Sequence, residues 1–204
     1  MWLFYCTIVY KKLILGLVYA ISTNQVFTIG HSNHQWDEFA RLLEDNHIVM
    51  VVDVRRYPGS KTFPQFNKEI MAKELLTRNI YYEHIEKLGG RRTQIAIPLE
   101  YDNGGWQNKS FRSYANYMLT KSFKEGMEKL LSLITKYGDS LAIMCSEAVP
   151  WRCHRRLISD YLTIVKGILV YDIIGNSSRD PSPHVLTPFA RHIIDENLVI
   201  YPKL

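Results

Sequence analysis

A chain of 204 residues, 47% hydrophobic and 22% charged, has the length and composition of one globular domain with a sizeable core. Three cysteines, Cys6, Cys145 and Cys153, are too few and too odd in number for a disulfide framework, which makes a reducing cytoplasm the expected compartment. The net charge of +5 admits an anionic partner, a nucleotide, phosphate or nucleic-acid backbone, without requiring one.

Residues 1–25 read as an apolar extension. Trp2 to Ala20 is almost wholly apolar, but Lys11 and Lys12 split it into runs of nine and eight residues. Spanning a bilayer takes about 20 apolar residues, so no stable membrane insertion is expected. A secretory signal would carry its positive charges before the apolar run. The favoured reading is an extension packed on the domain or read from an early start codon; membrane association through residues 2–20 is the alternative.

From Val26 onward, strands alternate with helices. Val26–Gly30 reads as a strand, and Gln35–Asp45 has helical spacing with Trp36, Phe39, Leu42 and Leu43 on one face. Ile48–Val54 is an apolar, β-branched run suited to a strand buried on both faces. Arg55–Gln65, with two prolines and a glycine, is a loop. Asn67 is placed to cap a helix over Lys68–Arg78, with Ile70, Leu75 and Leu76 as its apolar positions. Ile80–Ile85 is strand-like, and Leu88–Lys109 is a long irregular segment. Helices follow over Phe111–Leu119 and Phe123–Tyr137, then a strand at Leu141–Cys145, a helix at Trp151–Val165 and a strand at Ile168–Ile174. A turn-rich loop, Ser177–Pro183, leads to a closing helix over Leu186–Asp195. The alternation predicts a single three-layer α/β domain over 26–204, a mainly parallel sheet flanked by helices. There is no internal repeat, no low-complexity tract and no glycine-rich phosphate motif.

Chemistry concentrates between Cys145 and Arg156. Two thiols, a carboxylate, an imidazole and three guanidinium groups meet where a strand turns into a helix, the edge at which open α/β sheets place ligands. Backbone N–H groups at a helix N-terminus, with Arg152 and Arg155, would stabilise a thiolate or a bound anion. Cys145 is thus the candidate nucleophile, with Cys153 in the first helical turn as the other thiol, and Glu147 and His154 are candidate acid and base. The plainer alternative makes Cys145 a small buried hydrophobe, Glu147 a helix cap and His154 a carbonyl partner. A metal held by Cys145, Cys153 and His154, with His31 as a fourth ligand, is disfavoured. The spacing is not that of a zinc ribbon, only the Cys-x-Glu half of a zinc deaminase signature is present, and neighbouring side chains on a helix diverge by about 100°. No metal and no cofactor are therefore expected.

Two further strand ends share this edge in a parallel sheet: Gly30-His31-Ser32 and Asp53-Val54-Arg55-Arg56-Tyr57-Pro58. They offer His31, Ser32, Asp53, Arg55 and Tyr57 beside Arg152 and Arg155. Trp106, Trp151, Phe63 and Phe66 lie in the same loops, and Arg91, Arg92 and Arg112 extend a basic rim. Arginines interleaved with aromatics suit stacking a base while holding a phosphate; the alternative is that the rings are core.

At these residues the chain resembles the family catalogued as domain of unknown function 488, from about Phe27 to Ile174. The likeness runs through Thr28-Ile29-Gly30-His31-Ser32, Asp53 to Pro58, Pro64-Gln65-Phe66-Asn67, Leu88-Gly89-Gly90-Arg91-Arg92, Gly105-Trp106 and Phe111-Arg112-Ser113-Tyr114-Ala115. It ends in Cys145-x-Glu147-x-x-Pro150-x-x-Cys153-His154-Arg155. One departure is Asp172, where members of that family often carry a histidine before an isoleucine. The resemblance implies an α/β domain and assigns no activity. The turn is also similar to those of rhodanese-like domains and cysteine phosphatases, which pair a post-strand cysteine with an anion-cradling loop and an arginine. Here the interval from Cys145 to Arg152 is one residue longer than the phosphatase loop, and Pro150 removes one backbone donor.

The sequence therefore supports an intracellular thiol-dependent enzyme acting on an anionic small molecule. The alternative is a non-catalytic nucleic-acid-binding module with structural cysteines. It does not specify the oligomeric state.

Overall fold

The computed structural model describes residues 25–175 and 181–204. The apolar N-terminal run, Cys6 and most of the loop expected at Ser177–Pro183 lie outside them.

The strands and helices form in the predicted alternation. β1 (Gln25–Gly30), β2 (Met50–Asp53), β3 (Tyr81–His84), β4 (Leu141–Cys145), β5 (Leu169–Ile173) and β6 (Ser182–Pro183) make one sheet in the order β3-β2-β4-β1-β5-β6. All pairings are parallel except that of β6 with β5. β2 and β4 lie mid-sheet and are buried along their whole length, as their apolar runs suggest, with Asp53 buried at the end of β2.

The strand period of two divides the core. Val52, Val54, Leu141, Ile143 and Cys145 face one side, against α3 (Lys109–Met118), α4 (Lys121–Tyr137) and α5 (Arg155–Lys166). Val51, Ala142, Met144 and Ile29 face the other, against α1 (Trp36–Asp45) and α2 (Lys68–Leu76). The result is a three-layer α/β domain. β1 and β4 are neighbours, but β1 leads through α1 to β2, and β4 leads through α5 to β5 on the opposite side. Such a reversal marks the ligand-binding end of a doubly wound sheet. Among the described residues, no helix is long and apolar enough to cross a membrane.

Local chemistry sets the helix ends. The Asn108 side chain accepts the Ser110 and Phe111 N–H groups at the start of α3, and Thr120 Oγ1 accepts that of Phe123 at the start of α4. Gly167, in the left-handed region, ends α5.

Four expectations need correction. The helix predicted from Trp151 is broken: Pro150–Arg152 form one 3-10 turn, Cys153 returns to extended backbone, and α5 begins only at Arg155. The closing helix over Leu186–Asp195 is instead a hairpin, β7 (Arg191–Ile193) and β8 (Leu198–Ile200), turned by Asn197 in the left-handed region. Pro188 and the β-branched run around Ile193 disfavour a helix there. In α2 the buried residues are Met71 and Leu75, whereas Ile70 and Leu76 are exposed. Asn67 stands at the N-cap position of α2, but its Oδ1 accepts the Ser60 N–H at 2.5 Å, tying down the preceding loop and leaving the helix uncapped by this side chain.

Candidate functional site

The break before α5 brings three reactive atoms together. Cys145 Sγ at the end of β4, Cys153 Sγ and His154 Nδ1 all lie within 4.8 Å of one another. The imidazole nitrogen is 3.5 Å from Cys153 Sγ and 4.0 Å from Cys145 Sγ. Had Cys153 and His154 been helical, their side chains would diverge; extended backbone at Cys153 removes that obstacle. The Cys153 sulfur also caps α5, accepting the Arg155 N–H at 3.4 Å. Both cysteines are buried and unbridged.

His154 is held in one orientation. Its Nε2 lies 2.9 Å from the Val54 carbonyl, and a carbonyl only accepts, so Nε2 carries the hydrogen. In the neutral ring Nδ1 then presents a lone pair to the thiols. Tyr114 packs at 5.0 Å between ring centroids. Gly90 lies against the ring itself, where an added Cβ would be 2.8 Å from Nδ1.

The two thiols titrate as a pair. The hydrogen bond to Cys153, then burial, push the Cys145 thiol up to about 12. Burial also pushes the Cys153 thiol up, but the Cys145 hydrogen bond, the Arg155 charge and the Arg155 N–H outweigh it and bring it down to about 6. The arrangement favours one thiolate, on Cys153, with Cys145 as its proton-bearing partner.

A second cluster occupies the opposite face of the same sheet edge. Asp53 is fully buried and accepts from Arg55 Nη2 at 2.6 Å, Arg55 Nε at 3.0 Å and Tyr82 Oη at 2.6 Å. Arg55 also donates Nη2 to the Phe66 carbonyl at 2.8 Å and Nη1 to His31 Nε2 at 3.1 Å. His31 stacks on Phe66 at 4.2 Å and donates Nδ1–H to the Ser32 carbonyl. Burial, then the Arg55 charge, pull His31 down to about 4, so it is neutral at physiological pH. It accepts from Arg55 and takes no part in the thiol cluster. The two clusters meet through the backbone after β2: the Val54 carbonyl takes His154 from one face, and the Arg55 carbonyl takes His84 Nε2 at 2.8 Å.

Arg155 is almost fully buried, with its guanidinium engaged by the protein. It donates to the Glu147 and Ala148 carbonyls and, at 3.2 Å, to Thr28 Oγ1. Thr28 donates onward to Asp172 at 2.6 Å. An imidazole lies against Asp172 after all, that of His184, 3.7 Å away and 2.9 Å from Asp160 on its other side. Asp160 also accepts from Thr187 N–H and Tyr201 Oη, which ties the C-terminal segment to α5. Burial pulls His184 down, but Asp160 and Asp172 more than offset this and raise it to about 9. Its contribution to stability is therefore complete below pH 6.5 and lost as pH rises through about 9. Urea melts should show the stability advantage of the unsubstituted protein over His184→Gln shrinking by roughly 2–3 kcal/mol between pH 6 and pH 9.5. An equal change with pH in both proteins would refute the assignment.

The remaining candidates scatter. Ser32, half-buried, sends its N–H to the Ser146 carbonyl and its hydroxyl to Asn33. Glu147 and Arg152 are exposed. Tyr57 is exposed and covered by the Arg56 guanidinium at 5.4 Å. Trp106 belongs to the core, stacked on Phe111 at 4.7 Å and packed against Phe189 and Tyr201. Arg92 lies over the Tyr117 ring, and Arg112 bonds the Trp106 carbonyl. The residues that sequence reasoning missed are Tyr82, His84 and His184; Gly90 entered only as part of the stretch that carries the family likeness. Only the Tyr82-x-His84 alternation on β3, in register with Val51 and Asp53, offered a signal.

No curated protein and no solved structure matches the chain. A family profile described as Domain of unknown function DUF488 matches residues 35–162. The match runs from α1 into α5 and takes in Asp53, Arg55, Gly90 and the whole thiol cluster. It covers well over half of the sequence, and the chain belongs to that family, Domain of unknown function DUF488.

Proposed function

We propose that the chain is a thiol-dependent enzyme in which Cys153, rather than Cys145, is the nucleophile. The observation that carries this reading is the pre-set His154 ring, whose Nδ1 faces both sulfurs while Nε2 is committed to the Val54 carbonyl. The Cys145 sulfur lies within 4.8 Å of the Cys153 sulfur, and the Arg155 N–H supports the Cys153 thiolate. In the reaction the Cys153 thiol passes its proton to His154 Nδ1, the sulfur bonds to an electrophilic centre, and the displaced group leaves with that proton from Nδ1.

The substrate is an anionic small molecule of the phosphate or nucleotide class. Arg55 and Arg155 brace the protein, so the anion is held by groups attached to the same turns: half-buried Arg56 and exposed Tyr57 after β2, exposed Arg91 beside Gly90, and exposed Trp151-Arg152 before Cys153. Arg56 Nη1 bonds the Arg91 carbonyl at 2.7 Å, which joins two of these turns into one basic rim. A working thiolate also requires reducing surroundings, in keeping with a cytoplasmic protein.

Thiol modification mapped by mass spectrometry tests this. In chelator-treated, reduced protein at neutral pH, methyl methanethiosulfonate should modify Cys153 well before Cys145, and bulkier aromatic disulfides should react more slowly because both thiols are buried. Millimolar phosphate or nucleoside monophosphate should slow the reaction. The proposal fails if Cys153 reacts no faster than Cys145. If nucleic acid alone protects, with a steep salt dependence, a nucleic-acid-binding module is the better description.

A further inference from the structure

The thiol cluster also has the dimensions of a metal site. Tetrahedral zinc bonds of about 2.3 Å to sulfur and about 2.0 Å to nitrogen place the two kinds of ligand about 3.6 Å apart. The corresponding separations here are 3.5 and 4.0 Å, with all three atoms within 4.8 Å. A second observation is independent of these distances. His154 gives its remote N–H to a backbone carbonyl at 2.9 Å, the arrangement that orients metal-ligating imidazoles. The ligands also stand on well-fixed backbone: the end of a central strand, the 3-10 turn at Pro150–Arg152, and the start of a 12-residue helix.

We propose that Cys145, Cys153 and His154 bind one thiophilic metal ion of the zinc class. Two thiolates and one imidazole supply three positions, and a water or small anion takes the fourth. Among the described residues no carboxylate joins the set, and the donors are soft, so magnesium and calcium are poor competitors. The inference rests on the geometry of the proposed active site and not on its nucleophilic role. It adds a consequence: with both sulfurs coordinated, the metal-bound form is closed to thiol chemistry and the metal-free form is the reactive one. Residue 153 is thus a ligand or a nucleophile, according to metal supply.

Cobalt(II) titration of the full chain, reduced and stripped of metal, reads this directly. The expected result is one equivalent bound, with a thiolate-to-cobalt charge-transfer band and the intense visible bands of a tetrahedral centre, both abolished by zinc. Cys145→Ser, Cys153→Ser and His154→Gln should each weaken binding by more than about tenfold, whereas Cys6→Ser should not. In the unsubstituted protein, one equivalent of zinc should protect Cys145 and Cys153 together from alkylation; this readout does not depend on any variant folding. Absence of the charge-transfer band, cobalt binding indifferent to these substitutions, or alkylation unaffected by zinc would each overturn the proposal. Failure here is separable from failure of the enzyme reading. A reactive Cys153 without cobalt binding removes only the metal, and cobalt binding with an inert metal-free Cys153 removes only the nucleophile.

Discussion

Replacing Asp53 with alanine is expected to destabilise the protein by about 3–5 kcal/mol, the usual cost of stranding one member of a buried ion pair. Asp53 is 0% exposed and Arg55 6% exposed, so water cannot replace the lost carboxylate. Asp53 accepts from the Arg55 backbone N–H at 2.9 Å as well as from its guanidinium and from Tyr82, and truncation leaves all of these donors unmatched. Arg55 would then keep only the Phe66 carbonyl, His31 and a weak contact to Met71 Sδ. A loss of this size is a large fraction of the stability of an ordinary domain. Urea denaturation measures it. Asp53→Leu combined with Arg55→Met should recover much of the loss, because replacing both charges with apolar groups is frequently neutral. A cost below about 1 kcal/mol for the single change would mean that the pair is solvated, contrary to its burial.

Gly30→Ala is expected to be comparably severe and to disturb the thiols as well. A Cβ at position 30 would lie 1.8 Å from the Glu147 carbonyl oxygen and 2.9 Å from Ala148 Cα, and both are backbone atoms. Relief requires the segment after β4 to move outward. It is held there by His31 N–H to Cys145 O at 3.0 Å, Ser32 N–H to Ser146 O at 2.9 Å and the Arg155 guanidinium on the Glu147 carbonyl. Losing even two of these bonds, with the overpacking itself, amounts to about 3 kcal/mol or more. The same movement shifts Cys145 away from His154. The variant should therefore show a lowered midpoint in urea and, in whatever fraction folds, altered Cys145 reactivity. Wild-type stability would exclude the close approach on which the site depends.

Much of the architecture is legible in the sequence because single residues carry strong local signals. Ile48–Val54, broken only by Asp53, and Leu141–Cys145 are apolar runs of the kind a doubly covered strand accommodates, and they become β2 and β4. The reading fails where a local signal competes with distant contacts. Pro150 opens a helix-like turn, but the Cys153 sulfur takes the Arg155 N–H and restarts the helix five residues later. That restart aims Cys153 and His154 at the same point, which adjacent helical residues cannot do. The common edge of Asp53, His31 and Cys145 follows from a parallel sheet, but their separation onto two faces depends on strand register. Arg155 and Trp106 look like ligand contacts in the sequence, and their burial depends on partners far along the chain. The pairing of Asp172 with His184 is of the same kind.

The central claim is that Cys153 carries the thiolate, supported by Cys145, His154 and the start of α5. The most direct measurement is the pH dependence of alkylation at each cysteine in the reduced, metal-free full chain, resolved by peptide mass spectrometry. Modification of Cys153 should rise with a midpoint near 6, and Cys145 should stay unreactive until strongly alkaline pH, near 12. A shared midpoint at the ordinary thiol value of about 8.5, or earlier modification of Cys145, would contradict the account.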